Sequence, residues 1–180
     1  CPTETKFFVS KKNREIGKNF IHKDKFNIVL GVGSSGPTTK WGAGNYSNLI
    51  NKLNLENNFY FYLLCGKNES NISNEIMDKI VKKNCSSLHN MTIKQLIPIL
   101  TSCNMYVGND SFGSHITSQS GIKSIVILLD SPRAYTDYSK NFFRIIPRGF
   151  DIDKISHGSN ADPNLVLVED VIKNINRLKN

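Results

Sequence analysis

The chain has 180 residues, 39% of them hydrophobic and 21% charged, with a formal net charge of +8 and a pI near 9.3. That length buries a core without a disulfide or metal staple, and that composition excludes wholesale disorder. The charge alone points to an anionic partner, yet only five of the 23 basic residues are Arg and Lys runs along the whole chain, unlike the Arg- and aromatic-rich stripe of a nucleic-acid reader.

Residues 1–25 read as a lead-in strand around Phe7-Phe8-Val9 and an amphipathic helix over roughly 10–22. Phe26 to Val32 is a continuous apolar run, the pattern of a strand buried on both faces. It enters a Gly/Ser loop, 33–40, followed by a helix over 45–53 with Tyr46, Leu49, Ile50 and Leu53 on one face. A second strand covers 59–65. A helix over 68–83 follows, with Ile72, Ile76, Ile80 and Val81 expected toward the core. Thr92 and Gln95 form a capping box for a helix that ends near Ser102, where Pro98 limits its length. A short strand at 105–107 leads to Gly108-Asn109-Asp110-Ser111 and a helix that stops at Gly121. The most hydrophobic strand, 123–129, is expected at the sheet centre. Residues 131–155 read as irregular, aromatic and basic. Asp162 and Pro163 mark the start of a last helix, 163–179.

Strands alternating with helices, without apolar–polar alternation in the strands, predict an α/β fold: a parallel sheet with helices on both faces. Such sheets bind ligands beyond the carboxyl ends of their strands. Attention therefore falls on the segments just after strands.

The first is Gly33-Ser34-Ser35-Gly36 with Lys40 and Trp41. Backbone N–H groups, hydroxyls and a nearby ammonium suit phosphate. A plain flexible loop explains the same residues, and neither a Walker loop nor a true dinucleotide fingerprint is present. The second is Asp110-Ser111-Phe112-Gly113-Ser114-His115. Small residues there let an anion approach the free N–H groups of a helix end, and His115 lies one turn in. A capped helix with an ordinary histidine is the alternative. The third is Glu69, placed to accept from ribose hydroxyls or simply to favour a helix dipole. The fourth is Asp130-Ser131-Pro132-Arg133-Ala134-Tyr135, a ligand-closing segment or a turn.

Cys1, Cys65, Cys85 and Cys103 form no C-x-x-C and no Cys/His pair at zinc spacing, so reduced thiols and no metal site are expected. No apolar run reaches the ~20 residues of a membrane span, and no leader peptide is visible. A chain that starts at Cys1 and not at Met reads as a fragment or a trimmed chain.

The order of these motifs resembles the heptosyltransferase-type glycosyltransferases, family 9, of GT-B architecture. The resemblance is to their C-terminal, donor-binding half and runs from about Ile28 to Pro132. It is carried by the strand and Gly-Ser…Lys-Trp segment at 28–41 and the strand–Gly-x-x-Glu segment at 59–69. Val107-Gly108-Asn109-Asp110-Ser111 with His115 is its most specific part. The resemblance implies a Rossmann-like domain over 26–160, with 1–25 as lead-in and linker and 161–180 as a helix packing on it.

The resemblance also implies roles. Ser34 and Ser35 would contact the diphosphate of a nucleotide-sugar, ADP-linked by preference. Lys40 would face the phosphates and sugar, Glu69 would hold the ribose, and Asp110 would orient loop and sugar. The Ser111–Gly113 backbone, with His115, would cradle the diphosphate. Lys40 and Asp110 are thus the catalytic candidates, for leaving-group stabilisation and orientation in an inverting, metal-independent transfer without a further cofactor. The general base would belong to an N-terminal acceptor domain outside this chain. The acceptor would be a lipopolysaccharide core or another glycan. The location would be cytoplasmic, on the inner-membrane face of a bacterium, with the basic segment 133–148 against anionic lipid. Two departures stand out: Phe112 occupies a position where such proteins usually have Gly, and Gly42 follows Trp41 where Pro is common. The competing readings are a nucleotide or nucleotide-sugar domain of another enzyme and a non-catalytic anion-binding module.

Overall fold

The computed structural model describes residues 4–36, 38–56 and 58–179. Among these, six parallel strands form one sheet: β1 (Phe26–Gly31), β2 (Phe59–Leu64), β3 (Cys85–Ser87), β4 (Met105–Asn109), β5 (Lys123–Ile127) and β6 (Phe142–Ile145). The order is β3-β2-β1-β4-β5-β6. Consecutive strands step outward from β1 in one direction, then from β4 in the other. The β1/β4 junction is therefore a topological switch point, where the loops diverge and leave a crevice.

Among the described residues, six α-helices cover the faces: α1 (Lys11–Phe20), α2 (Ala43–Leu53), α3 (Ser70–Lys79), α4 (Ile93–Leu100), α5 (Phe112–Gln119) and α6 (Val168–Lys179). The strand side chains alternate between two cores. Ile28, Leu30, Phe61, Leu63, Val107, Ile125 and Ile127 point to α2, α3 and α6, where they meet Leu49, Ile50, Ile76, Val171 and Ile175. Val29, Tyr62, Leu64, Tyr106, Val126 and Leu128 point the other way, to Leu96, Ile99 and Leu100 of α4. Each fully buried Leu or Ile contributes about 1.5–3 kcal/mol by leaving water, so both faces of every central strand must be apolar. The sequence shows this as continuous hydrophobic runs.

Several expectations shift. Residues 4–9 form no strand; Thr5 and Phe7 instead donate their N–H groups to the carbonyls of Tyr138 and Gln119 (3.1 and 2.9 Å). The centre of the sheet belongs to β1 and β4, because β6 adds beside β5 and makes β5 second from an edge. Strand β3 lies just past the helix expected over 68–83, in a stretch assigned no element, and β6 lies in chain read as irregular. Helix α3 ends at Lys79, so Val81 falls beyond it and is 89% exposed. Asp162 does cap a helical turn, but only the 3₁₀ turn Pro163–Leu165; α6 begins at Val168. The capping box at Thr92 is present, with the Thr92 N–H donating to Gln95 (2.9 Å), and the helix ends at Leu100.

Cys65, Cys85 and Cys103 are buried free thiols, with Cys85 pushed up to about 12 by burial; Cys1 lies outside the described residues. Among the described residues, no helix is long and apolar enough to cross a membrane.

Candidate functional site

The carboxyl ends of β1, β2 and β4 open into one cleft with two cavities. The first, of about 300 Å³, is walled by Gly33, Leu64, Cys65, Glu69, Leu96 and Gly113, among others. The second, of about 430 Å³, is lined by Thr38, Asp110, His115, Asp130, Tyr135 and His157, among others. Ser34, Ser35, Ser111 and Phe112 line both. They form a neck between an apolar chamber and one rich in hydroxyls, carboxylates and imidazoles.

On one side of the neck stands the β1–α2 loop. Glu69, just past β2, accepts from the Ser34 N–H (3.1 Å) and the Gly66 N–H (3.2 Å), and pairs with Lys40 (2.7 Å). Burial alone would raise the Glu69 carboxyl. The hydrogen bonds from Lys40, Ser34 and Gly66 outweigh it and hold the group below its ordinary range. The Ser34 hydroxyl accepts from Thr39 (2.6 Å) and reaches the carbonyl of Asp110 (3.4 Å). The loop is thus tied to both neighbouring strand ends.

On the other side stands the start of α5. Ser111 is its N-cap, and the Ser111 N–H donates to Ser114 (3.2 Å). Asp110 keeps only 7% of its side chain exposed and lies 3.3 Å from His115 Nε2. The Phe112 and Gly113 N–H groups begin the helix, where free donors and the helix dipole favour an anion. Gly113, next to the departure at 112, is held by its packing. A Cβ at Gly113 would collide with Leu64 and Tyr106, so this glycine serves close packing of α5 on the sheet, and Phe112 is left 43% exposed in the neck.

The structure brings every predicted site residue to this cleft: Ser34, Ser35, Lys40, Glu69, Asp110, Ser111, Phe112, Gly113 and His115. It adds others. Asn109 is fully buried; its Nδ2 donates to the Val32 carbonyl (3.0 Å), and its Oδ1 accepts from the Trp41 N–H (3.0 Å) and the Tyr46 hydroxyl (3.1 Å). It fastens the residue after Lys40 to β4. Asp130 accepts from Thr38 (2.5 Å) and from the Ser159 N–H (2.8 Å), clasping the same loop from the β5 side. The Thr38 hydrogen bond is the main cause of its lowered pKa. Tyr135 and His157 meet at 3.2 Å across the second cavity. Asn109 and Asp130 stand in the quoted motifs, but their partners are 29 to 92 residues distant in the chain, beyond what a motif displays.

The basic segment 133–148 is largely neutralised within the domain. Arg133 pairs with Asp137 and Asp153, Arg144 with Asp137, Arg148 with Asp170, and Lys140 with Glu4.

A sequence model of glycosyltransferase family 9 (heptosyltransferase) matches residues 2–141, well over half of the chain. The chain belongs to glycosyltransferase family 9. Among solved structures it is similar to E. coli ADP-heptose lps heptosyltransferase II, with a TM-score of 0.78 and 19% identity over 96% of this chain and 53% of that one. A family 9 glycosyltransferase from Veillonella parvula DSM 2008 gives a TM-score of 0.79 and 16% identity, over 98% of this chain and 54% of that one. E. coli heptosyltransferase WaaC with ADP gives 0.72 and 15%, over 92% and 48%. At such identities the likeness is one of fold. The chain spans about half the length of these family 9 structures. A comparison with curated proteins finds no match.

Proposed function

We propose that this chain is the donor-binding half of a family 9 glycosyltransferase and takes a nucleotide-diphospho-sugar across the two cavities. The observation that carries the reading is the neck. Four residues are shared by an apolar chamber and a polar one, with a helix N-terminus on one side and a Gly-Ser loop on the other. A nucleoside fits the first chamber, with Glu69 facing its ribose. The diphosphate lies in the neck, and the sugar in the second chamber beside Asp110, where hydroxyl-rich walls match a polyol.

In the transfer, the bond from the anomeric carbon to the diphosphate breaks as an acceptor hydroxyl attacks. Negative charge grows on the leaving diphosphate. Preorganised donors aimed at that charge are the main catalytic resource; here they are the N–H groups opening α5 and the Lys40 ammonium. Lys40 is paired with Glu69 in the free protein, so donor binding turns it toward phosphate, while Ser34 and Gly66 keep Glu69 in place. The base that deprotonates the acceptor lies, in this reading, outside the 180 residues, as does the acceptor itself, a lipopolysaccharide core or other glycan. Inversion and independence from metal belong to the same proposal. The E. coli relatives, an ADP-heptose enzyme and WaaC with ADP, make ADP and ADP-heptose the first ligands to try.

Calorimetric titration with ADP, UDP and GDP tests the reading. Lys40→Ala is expected to weaken diphosphate binding by about tenfold or more, the worth of a charge-assisted contact, and Asp110→Ala to weaken binding of the matching nucleotide-diphospho-sugar, titrated alongside, by a similar factor. Unchanged affinity in both variants would overturn it.

A further inference from the structure

We propose that Tyr138 is a positioning residue that fixes the tautomer and ring orientation of His115 at the second cavity; the inference rests on the donor-binding reading above. Tyr138 lies in the turn before β6, 23 residues from His115. Its hydroxyl is hydrogen-bonded to His115 Nδ1, while Nε2 faces the Asp110 carboxylate at 3.3 Å.

The hydrogen-bond directions follow from the inventory of each group. A carboxylate only accepts, so Nε2 carries the proton it shares with Asp110. In a neutral imidazole Nδ1 is then the acceptor, and its donor must be the phenol. Tyr138 is suited to that task. Burial pushes its hydroxyl up to about 12, against a smaller opposing effect of a hydrogen bond with Gln119, so the phenol stays protonated and able to donate. The chain of donation runs from Tyr138 to His115 and from His115 to Asp110.

Packing reinforces the bonds. The His115 ring stacks on Tyr138 with centroids 5.9 Å apart and meets Phe142 edge-on at 6.0 Å; Tyr138 and Phe142 are themselves edge-to-face at 5.5 Å. Phe142 opens β6 and is buried in the second core. Strand β6 thus forms the wall behind His115, and the imidazole cannot turn its Nε2–H away from the chamber without breaking both bonds. The consequence is a histidine that presents one defined N–H to Asp110 and so holds that carboxylate in place beside the bound donor, instead of two interchanging tautomers.

The test combines imidazole ¹⁵N NMR with ADP titration on the unaltered chain, Tyr138→Phe, His115→Gln and the double variant, with thermal melting to compare their folding. The unaltered chain is expected to show His115, assigned by His115→Gln, as the Nε2–H tautomer. In Tyr138→Phe, which keeps the ring packing, that signature averages toward a mixture. ADP binding should weaken about 3- to 10-fold, the range of one net hydrogen bond. In the His115→Gln background the same change should cost nothing further. A mixed tautomer in the unaltered chain, a tautomer unmoved by Tyr138→Phe, or an equal loss of ADP affinity with and without His115 would overturn the proposal. If the unaltered chain binds no ADP, UDP or GDP while Tyr138→Phe still dissolves the tautomer, the donor reading fails and the positioning of His115 stands.

Discussion

Asn109 has no exposed surface and three hydrogen bonds to groups that no water reaches. Its amide serves the Val32 carbonyl at the end of β1, and its oxygen serves Trp41 and Tyr46 at the start of α2. Trp41 is itself buried, donating from its indole to the Val166 carbonyl (2.9 Å), so Lys40 hangs from a rigid neighbour. Asn109→Ala strands the Val32 carbonyl and the Trp41 N–H in the core, while the Tyr46 hydroxyl keeps its bond to the Gly31 carbonyl (2.8 Å). An unsatisfied buried group costs about 1–3 kcal/mol; after partial rearrangement a loss of about 3 kcal/mol is expected in urea unfolding. Asn109→Asp should not rescue it, because it removes the donor to Val32 and buries a carboxylate. Nucleoside diphosphate affinity should fall in both variants, as the Lys40 segment loses its anchor. The sequence shows Asn109 only as one letter in a loop motif. Its importance comes from Trp41, 68 residues earlier, and a pairing at that separation leaves no local pattern. Ser34, Lys40, Glu69, Asp110 and His115 are more legible, because each stands in the loop or first helical turns after a strand and the fold alone carries strand ends to one edge.

Strands β1, β2, β4 and β5 announce themselves because both faces are covered and most positions are apolar, with polar residues such as Asn27, Asn109 and Ser124 kept to their ends. The strands at the two edges do not. Cys85-Ser86-Ser87 pairs with β2 alone and carries small polar side chains. Phe142–Ile145 pairs with β5 alone and places Arg144 outward to meet Thr136 and Asp137. Edge strands need only one hydrogen-bonded neighbour and tolerate polarity, so periodicity misses them. The central junction depends on a different local choice. Gly108 has φ +155° and faces Gly31 across β1 and β4. A Cβ there would sit 2.5–2.8 Å from the Gly31 backbone, which cannot move aside without splitting the sheet. Gly108→Ala is therefore expected to cost about 3 kcal/mol or more, by overpacking plus backbone strain. Gly121→Ala supplies the comparison. There φ is +89° with open space around the new methyl, so strain acts alone and the loss should be about 1–2 kcal/mol. Equal melting shifts in the two variants would mean that the β1/β4 approach contributes nothing.

At the scale of the whole molecule, the +8 charge matters less than two carboxylates that clasp the cleft. Glu69 joins the end of β2 to the β1–α2 loop, and Asp130 joins the end of β5 to that loop and to Ser159. The loop that carries Ser34 and Lys40 is held from both sides by groups whose pKa values are lowered in the folded state. The sign of the linkage follows. A carboxyl with a depressed folded pKa binds its proton more readily when unfolded, so stability rises with pH across the interval between the two values. The contribution is complete above the unfolded carboxyl range, near pH ~4, and is lost as pH falls through the lower folded values. Acidification below about pH 4 should therefore loosen the cleft mouth, and with it the attachment of α2 to the sheet. Replacing the titrating groups isolates their share. Glu69→Gln with Asp130→Asn should lower the melting temperature at pH 7 but flatten its fall between about pH 5 and pH 2.5, since two groups that drive the proton uptake are gone. Circular dichroism melts across that range read both effects. A double variant whose melting temperature falls as steeply with acid as that of the unaltered chain would place the acid sensitivity elsewhere, with the exposed pairs of Glu169 to Lys52 and Asp170 to Arg148 as the remaining carboxylates held low.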